Sequence, residues 1–275
     1  MPLSEPTLAK GGIGARWRIA DFAAVVADAG ALRDLQEVLD ERLVVEIAPE
    51  APVTPQAISA LQRFLGEPEA RGGDMHMMLP GTDFLLNFAA AAKHDDGRPR
   101  APAFIESLHT DSLTNGPAAY AVSYQRIAPP TLPMRFVDMR AVYQDLPDAI
   151  KTKLRGLRAR HTARARPGVT PTPSTMQPLA AKHPRTGAAL LLLPNRRDSR
   201  LEGMADDEGS ALTMEVWQMA EASPARLEIA MHSNMLIVWD NIASLHDNPA
   251  FPRNQERSTW FFNIVNPHGI EPLTS

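Results

Sequence analysis

The sequence predicts a mainly β protein, an antiparallel double sheet of jelly-roll type with helices packed outside it. Three observations carry this. Short apolar or alternating runs bounded by turn residues recur from residue 43 to the end of the chain. Proline is frequent, 25 of 275 residues, which suits strands joined by turns better than a helical bundle. Helical periodicity is confined to the first fifth of the chain and to a few connections.

Taken in order, residues 1–12 read as a flexible tail ending in Gly11-Gly12. Asp21 to Arg42 is rich in Ala and Leu, with Leu32, Leu35, Val38 and Leu39 at helical spacing, and predicts one helix. The run 43–47 (LVVEI) predicts a buried strand. Thr54 caps and Pro55 opens a helix that runs to Leu65 and stops at Gly66. Strands are expected at 83–88, 103–109, 118–127 and 134–138, then helices at 139–143 and 148–160, the second with a basic outer face. Four prolines and little periodicity mark 161–181 as an excursion or active-site lid. An apolar strand at 188–193, a helix at 212–222 and strands at 236–240 and 258–265 complete a single domain over 13–275.

Composition excludes several functions. Zero cysteines remove disulfides, thiolate metal sites and a cysteine nucleophile, so any metal is held by His, Asp or Glu. A formal charge of −4 offers no overall attraction for nucleic acid or an anionic membrane, and a small-molecule substrate is expected instead. The basic run Lys151–Arg166 has no interleaved aromatic residue to stack bases and reads as a solvated helix face. No apolar run approaches the roughly 20 residues that cross a bilayer, and the expectation is a cytoplasmic protein.

The most informative feature is His109-Thr110-Asp111, answered far down the chain by His246. On a strand, alternate residues share a face, so His109 and Asp111 can share one metal ion. A distant second imidazole completes two histidines and a carboxylate, the facial set that suits non-haem Fe(II) and leaves coordination positions open.

The wording of several segments resembles the taurine and 2,4-dichlorophenoxyacetate dioxygenase family. They are Gly12-Ile13-Gly14-Ala15, LHTDS at 108–112, HPRTG at 183–187, and VWDN at 238–241 followed by His246 and Arg257. The resemblance implies a double-stranded β-helix core, cupin-like and clavaminate synthase-like, with Fe(II), 2-oxoglutarate and O₂ as cofactors. It makes His109, Asp111 and His246 the iron ligands and Arg257 the partner of the far carboxylate of 2-oxoglutarate, a role that suits a planar, permanently charged guanidinium. It also implies a homo-oligomer.

Three positions depart from the family pattern. Met134 stands where many members have a threonine assisting that arginine, and Thr131 or Ser258 is the candidate replacement hydroxyl. Leu108 stands where many have tryptophan. Phe261 replaces the second arginine of sulfonate-using members, which disfavours taurine and favours a more hydrophobic substrate group. Candidate substrate contacts are His76 in a methionine cluster, Asn87, and Arg197 in the arginine-rich loop that also holds Arg196 and Arg200. Asp240 and Asn241 are expected to shape the turn after their strand, and Trp239 to lie in the core.

The expected activity is oxidation of an unactivated C–H bond, hydroxylation by default, with release of succinate and CO₂. Two other readings of the same triad stay open: a hydrolase or isomerase using Zn²⁺ or Mn²⁺, and a non-catalytic binding protein on this scaffold.

Overall fold

The computed structural model describes residues 5–69, 78–82, 85–89, 106–113, 116–129, 133–161, 175–194, 200–248 and 255–274. Its elements in chain order are β1 (Thr7–Leu8), β2 (Ala15–Ile19), α1 (Phe22–Val26), α2 (Ala29–Arg42), β3 (Val44–Pro49), α3 (Pro55–Leu65), β4 (Leu86–Ala89) and β5 (Glu106–His109). There follow β6 (Tyr120–Ile127), β7 (Met134–Asp138), α4 (Met139–Asp145), α5 (Asp148–Leu154), β8 (Arg158–His161), β9 (Thr175–Pro178), β10 (Ala180–Lys182) and β11 (Ala189–Leu191). The chain closes with α6 (Asp206–Ala222), β12 (Arg226–Ile229), β13 (Met235–Asp240), β14 (Ser244–Asn248), β15 (Ser258–Ile264) and β16 (Glu271–Pro272).

The predicted mainly β fold is present. A large sheet runs β1-β2-β3-β13-β6-β15-β4 and a smaller one β12-β7-β14-β5, with two- and three-stranded ribbons β8-β9 and β11-β10-β16 beside them. Described pairings are antiparallel except β2 with β3. Strand alternation divides the core. On β13, Leu236 and Val238 face α1–α3 together with Tyr120, Val122, Tyr124, Trp260 and Phe262. The intervening Met235, Ile237 and Trp239 turn to the other side, where Met134 and Phe136 meet them from the smaller sheet. That space between the sheets is where the functional residues gather.

Several boundaries differ from expectation. Residues 1–12 are not wholly tail, because Thr7 and Leu8 pair with Arg16 and Ala15. The single helix expected from Asp21 is two, since the Asp28 carboxylate accepts from Gly30 and Ala31 N–H and restarts the chain as α2. The helix at 148 ends at Leu154, and Arg158–His161 is strand. The excursion expected at 161–181 is strand at both ends: His161 pairs with Thr175, and Leu179 and Ala180 are core. Residues 162–174 lie outside the described set. Thr54 does cap α3 through Ala57 N–H, and Gly66, at φ 137°, ends it.

His161 is buried, and Nε2 has no hydrogen-bond partner among the described residues. Burial lowers its pKa to about 4 from 6.5. A histidine depressed in the folded state binds its proton preferentially when unfolded, so it costs stability as pH falls below the unfolded value. Between pH 7 and 5 the cost is about 2 kcal/mol. His161→Leu is expected to flatten that part of the urea-unfolding profile; an unchanged slope would remove His161 as the cause.

Candidate active site

β5 and β14 are antiparallel neighbours with His109 opposite His246, and a register shift follows between His246 and Asn248. The pairing brings the two imidazoles together, centroids 4.4 Å apart and planes tilted by 44°. Sequence alternation anticipated His109 and Asp111 on one strand face, but β5 ends at His109 and Asp111 lies in the turn beyond it. The carboxylate nonetheless swings back: Oδ1 is 3.6 Å from His109 Nε2 and Oδ2 is 3.7 Å from His246 Nε2. One ligand atom from each residue lies within 4.8 Å of the other two. Donors about 2.1 Å from a shared ion sit roughly 3–3.6 Å apart, so the set fits one first-row metal after small adjustment.

The protonation states suit such an ion. Nδ1 of His109 lies 2.9 Å from the Ser107 carbonyl, which assigns the ring proton there and leaves Nε2 a lone pair facing Asp111. His246 is buried, and burial, then the neighbouring His109, lowers its pKa to about 3, keeping the ring neutral. Packing holds that ring: Phe136 stacks at 6.2 Å and Trp239 lies at 4.9 Å.

Asp111 is gripped from the β13–β14 turn. Asn241 Oδ1 accepts the Asp111 N–H at 3.0 Å, and Asn241 Nδ2 donates to the carbonyls of Asp111 at 3.1 Å and Ala118 at 2.9 Å. Asp240 is the residue that shapes the turn, its Oδ1 accepting from Ile242 and Ala243 N–H. Asn241, expected to do the same locally, instead reaches across the fold.

The wall opposite is built by β15 and β6. Their register puts Thr259 against Gln125, Phe261 against Ser123 and Asn263 against Ala121. Arg257 directly precedes β15 rather than standing on it, and Nε donates to Thr259 Oγ1 at 3.2 Å. Thr259 donates to Gln125 Oε1 at 2.8 Å, and Gln125 Nε2 donates to Ser123 Oγ at 2.7 Å. Burial lowers the Arg257 pKa to about 10, which still leaves the guanidinium charged at neutral pH.

Among the described residues the hydroxyl bonded to Arg257 is that of Thr259, which sequence reasoning did not name. Ser258 instead accepts from Arg126 Nε at 3.2 Å and donates to Asn87 Oδ1 at 3.5 Å, engaging both away from Arg257. Met134 is a buried apolar residue of β7 between the sheets and offers no hydroxyl. Thr131, His76, Arg196 and Arg197 lie outside the described residues, while Arg200 is an exposed arginine 4.0 Å from Asp206. Phe261 packs 6.1 Å from Trp239, which is core as expected. One further group went unforeseen: Ser112 donates to Glu69 at 2.7 Å, and Asn263 Nδ2 donates to both at 3.2–3.3 Å.

The profile of the family described as Taurine catabolism dioxygenase TauD, TfdA family matches residues 4–264. The alpha-ketoglutarate-dependent 2,4-dichlorophenoxyacetate dioxygenase of Burkholderia sp. (strain RASC) is 30% identical over 165 residues, 55% of each chain. The (S)-phenoxypropionate/alpha-ketoglutarate-dioxygenase of Sphingobium herbicidovorans is 25% identical over 147 residues, 47% of this chain and 51% of that one. The match thus spans about half the length of these curated relatives.

Among solved structures, a taurine dioxygenase from Burkholderia xenovorans superposes with TM-score 0.77 at 21% identity, over 100% of this chain and 94% of that one. AAD-2, in complex with Mn(II) and N-oxalylglycine, gives TM-score 0.75 at 17% identity, over 96% and 98%. At these identities the structures speak for the cupin-like jelly-roll fold. With a family match over residues 4–264, the chain belongs to the TauD/TfdA family.

Proposed function

We propose that this protein is an Fe(II)- and 2-oxoglutarate-dependent oxygenase that hydroxylates an unactivated C–H bond of a small organic molecule other than taurine. The observation that carries this is the convergence of His109, Asp111 and His246 within 4.8 Å, in a space walled by the strand that follows Arg257. Iron, 2-oxoglutarate and O₂ would supply oxidative decarboxylation to succinate and CO₂ together with the oxidising power for the substrate.

The chain's own residues position and exclude. His109, Asp111 and His246 would hold the metal from one side, leaving the opposite positions open. Arg257, steadied through Nε by Thr259, would hold the far carboxylate of 2-oxoglutarate. Trp239, Phe136 and Met134 keep water from the His246 side. Phe261 stands where a sulfonate-binding arginine would be, and the group beside it on that wall, Asn263 and Ser112 hydrogen-bonded to the Glu69 carboxylate, offers no cation. This supports a substrate whose corresponding part is not an anion.

The test is an anaerobic titration with Fe(II) and 2-oxoglutarate followed by visible absorption, where the chelated keto acid gives a charge-transfer band. Band formation and later succinate release in air are expected. Metal binding without either would favour a hydrolase or isomerase. In the same assay Arg257→Ala is expected to weaken 2-oxoglutarate binding about 100-fold, the loss of a charge-assisted pair at a buried site, with Fe(II) affinity little changed.

A further inference from the structure

We propose that Asn241 is a positioning residue that presets the Asp111 carboxylate for the metal; this rests on the metal site proposed above. Asp111 lies past the end of β5, where the backbone hydrogen bond printed for it is a long one, from Ala118 N–H to its carbonyl at 3.4 Å, and the next residue, Ser112, takes a left-handed φ of 63°. A bond of that length does not give the turn a firm register. Asn241 supplies one by bonding both the N–H and the carbonyl of Asp111, as a neighbouring strand would, and by joining Asp111 to the Ala118 carbonyl at the start of the return strand.

The amide orientation is fixed by these partners, because Nδ2 faces two carbonyls and Oδ1 faces an N–H. Asn241 is itself immobilised: it is fully buried, its own N–H donates to the Ala119 carbonyl at 3.1 Å, and Asp240 closes the turn around it. Three residues further on, β14 begins and carries His246. The clamp therefore ties the carboxylate ligand to the strand of the distant imidazole, holding in register two ligands that lie 135 residues apart in sequence.

The experiment compares Asn241→Ala and the isosteric Asn241→Asp with Asn234→Ala. Asn234 is a bridging asparagine elsewhere, accepting from Tyr124 and donating to the Pro49 carbonyl, so its loss destabilises the fold without touching the site. Co(II) is titrated anaerobically and followed by its visible absorption, at a temperature where circular dichroism shows each apo variant folded. Asn241→Ala is expected to bind Co(II) about 10- to 100-fold more weakly, with an altered band shape. Asn241→Asp, whose carboxylate would face two carbonyls, loses at least as much. Asn234→Ala keeps wild-type affinity despite a lowered Tm. Affinity within two-fold of wild type in either Asn241 variant, or a loss in Asn234→Ala that tracks Tm equally, overturns the clamp. Failure of the wild type to bind Co(II) would instead defeat the metal reading on which it rests.

Discussion

Replacing His109 by alanine is expected to abolish ferrous-iron binding and 2-oxoglutarate turnover while leaving the fold intact. The ring is at the rim of the site, with side-chain exposure of 22% against 2% for His246, so its removal opens little cavity. Its chemical loss is large, since two ligands cannot reproduce a three-point facial set. The effect should exceed the roughly 10- to 100-fold that changes behind a ligand cause. Thermal denaturation separates the two contributions. A metal that binds only the folded state stabilises by mass action, about 2.7 kcal/mol at 100 times Kd. The wild-type Tm should therefore rise with added Fe(II), and the variant's should not, although their metal-free values agree within a few degrees. A variant that still turned over 2-oxoglutarate at the wild-type rate would end the proposed mechanism.

The residues of this site differed in how far the sequence exposed them. His109, Asp111 and His246 were legible because their chemistry is rare in combination and their order along the chain is distinctive. Strand alternation accounts for only part of their proximity: β5 stops at His109, and the side chain of Asn241 bonds the Asp111 backbone in the turn beyond it. That contact crosses 130 residues of sequence, and no local pattern announces it. Thr259 and Gln125 were hidden for a related reason. Their meeting depends on the register of β15 against β6, including a shift between Ser258 and Thr259, which sequence alternation does not specify. Alternation from Ser258 would have favoured the wrong hydroxyl. β14 was overlooked because Ser-Leu-His-Asp-Asn is short and polar, although all but its last residue are buried between partners. By contrast the outer helices were readable from capping chemistry, as Thr54, Pro55 and Gly66 around α3 show.

The buried Asp240 is expected to matter most for stability. Its carboxylate is almost wholly enclosed and receives three kinds of partner. Oδ1 accepts the N–H groups of Ile242 and Ala243, Oδ2 lies 2.9 Å from His183 Nε2, off the line of a straight hydrogen bond, and Arg185 Nη2 approaches at 3.3 Å. Nδ1 of His183 accepts backbone N–H groups of Thr186 at 3.1 Å and Arg185 at 3.3 Å, which places the ring proton on Nε2, toward the carboxylate. Burial alone would raise the Asp240 pKa; the His183 contact, the Ala243 N–H and the Arg185 charge outweigh it and hold the group below the usual carboxylate range. Arg185 also pairs with Asp40 of α2 and lies 5.3 Å over the Tyr120 ring, so one carboxylate joins the β10–β11 turn, the large sheet and the outer helix. Asp240→Ala leaves a buried imidazole N–H and a half-buried guanidinium without their counterpart, and strips the turn of its acceptor. The expected loss is about 4 kcal/mol, or roughly 10 °C in Tm for a chain of this size. Asp240→Asn, which retains an oxygen for Ile242 and Ala243, should lose about half as much, because only the charge and the Oδ2 contacts are affected. Equal losses in the two variants would mean that the charge, and not the turn, carries the stabilisation; a loss below about 1 kcal/mol in Asp240→Ala would show that the network is replaceable by water.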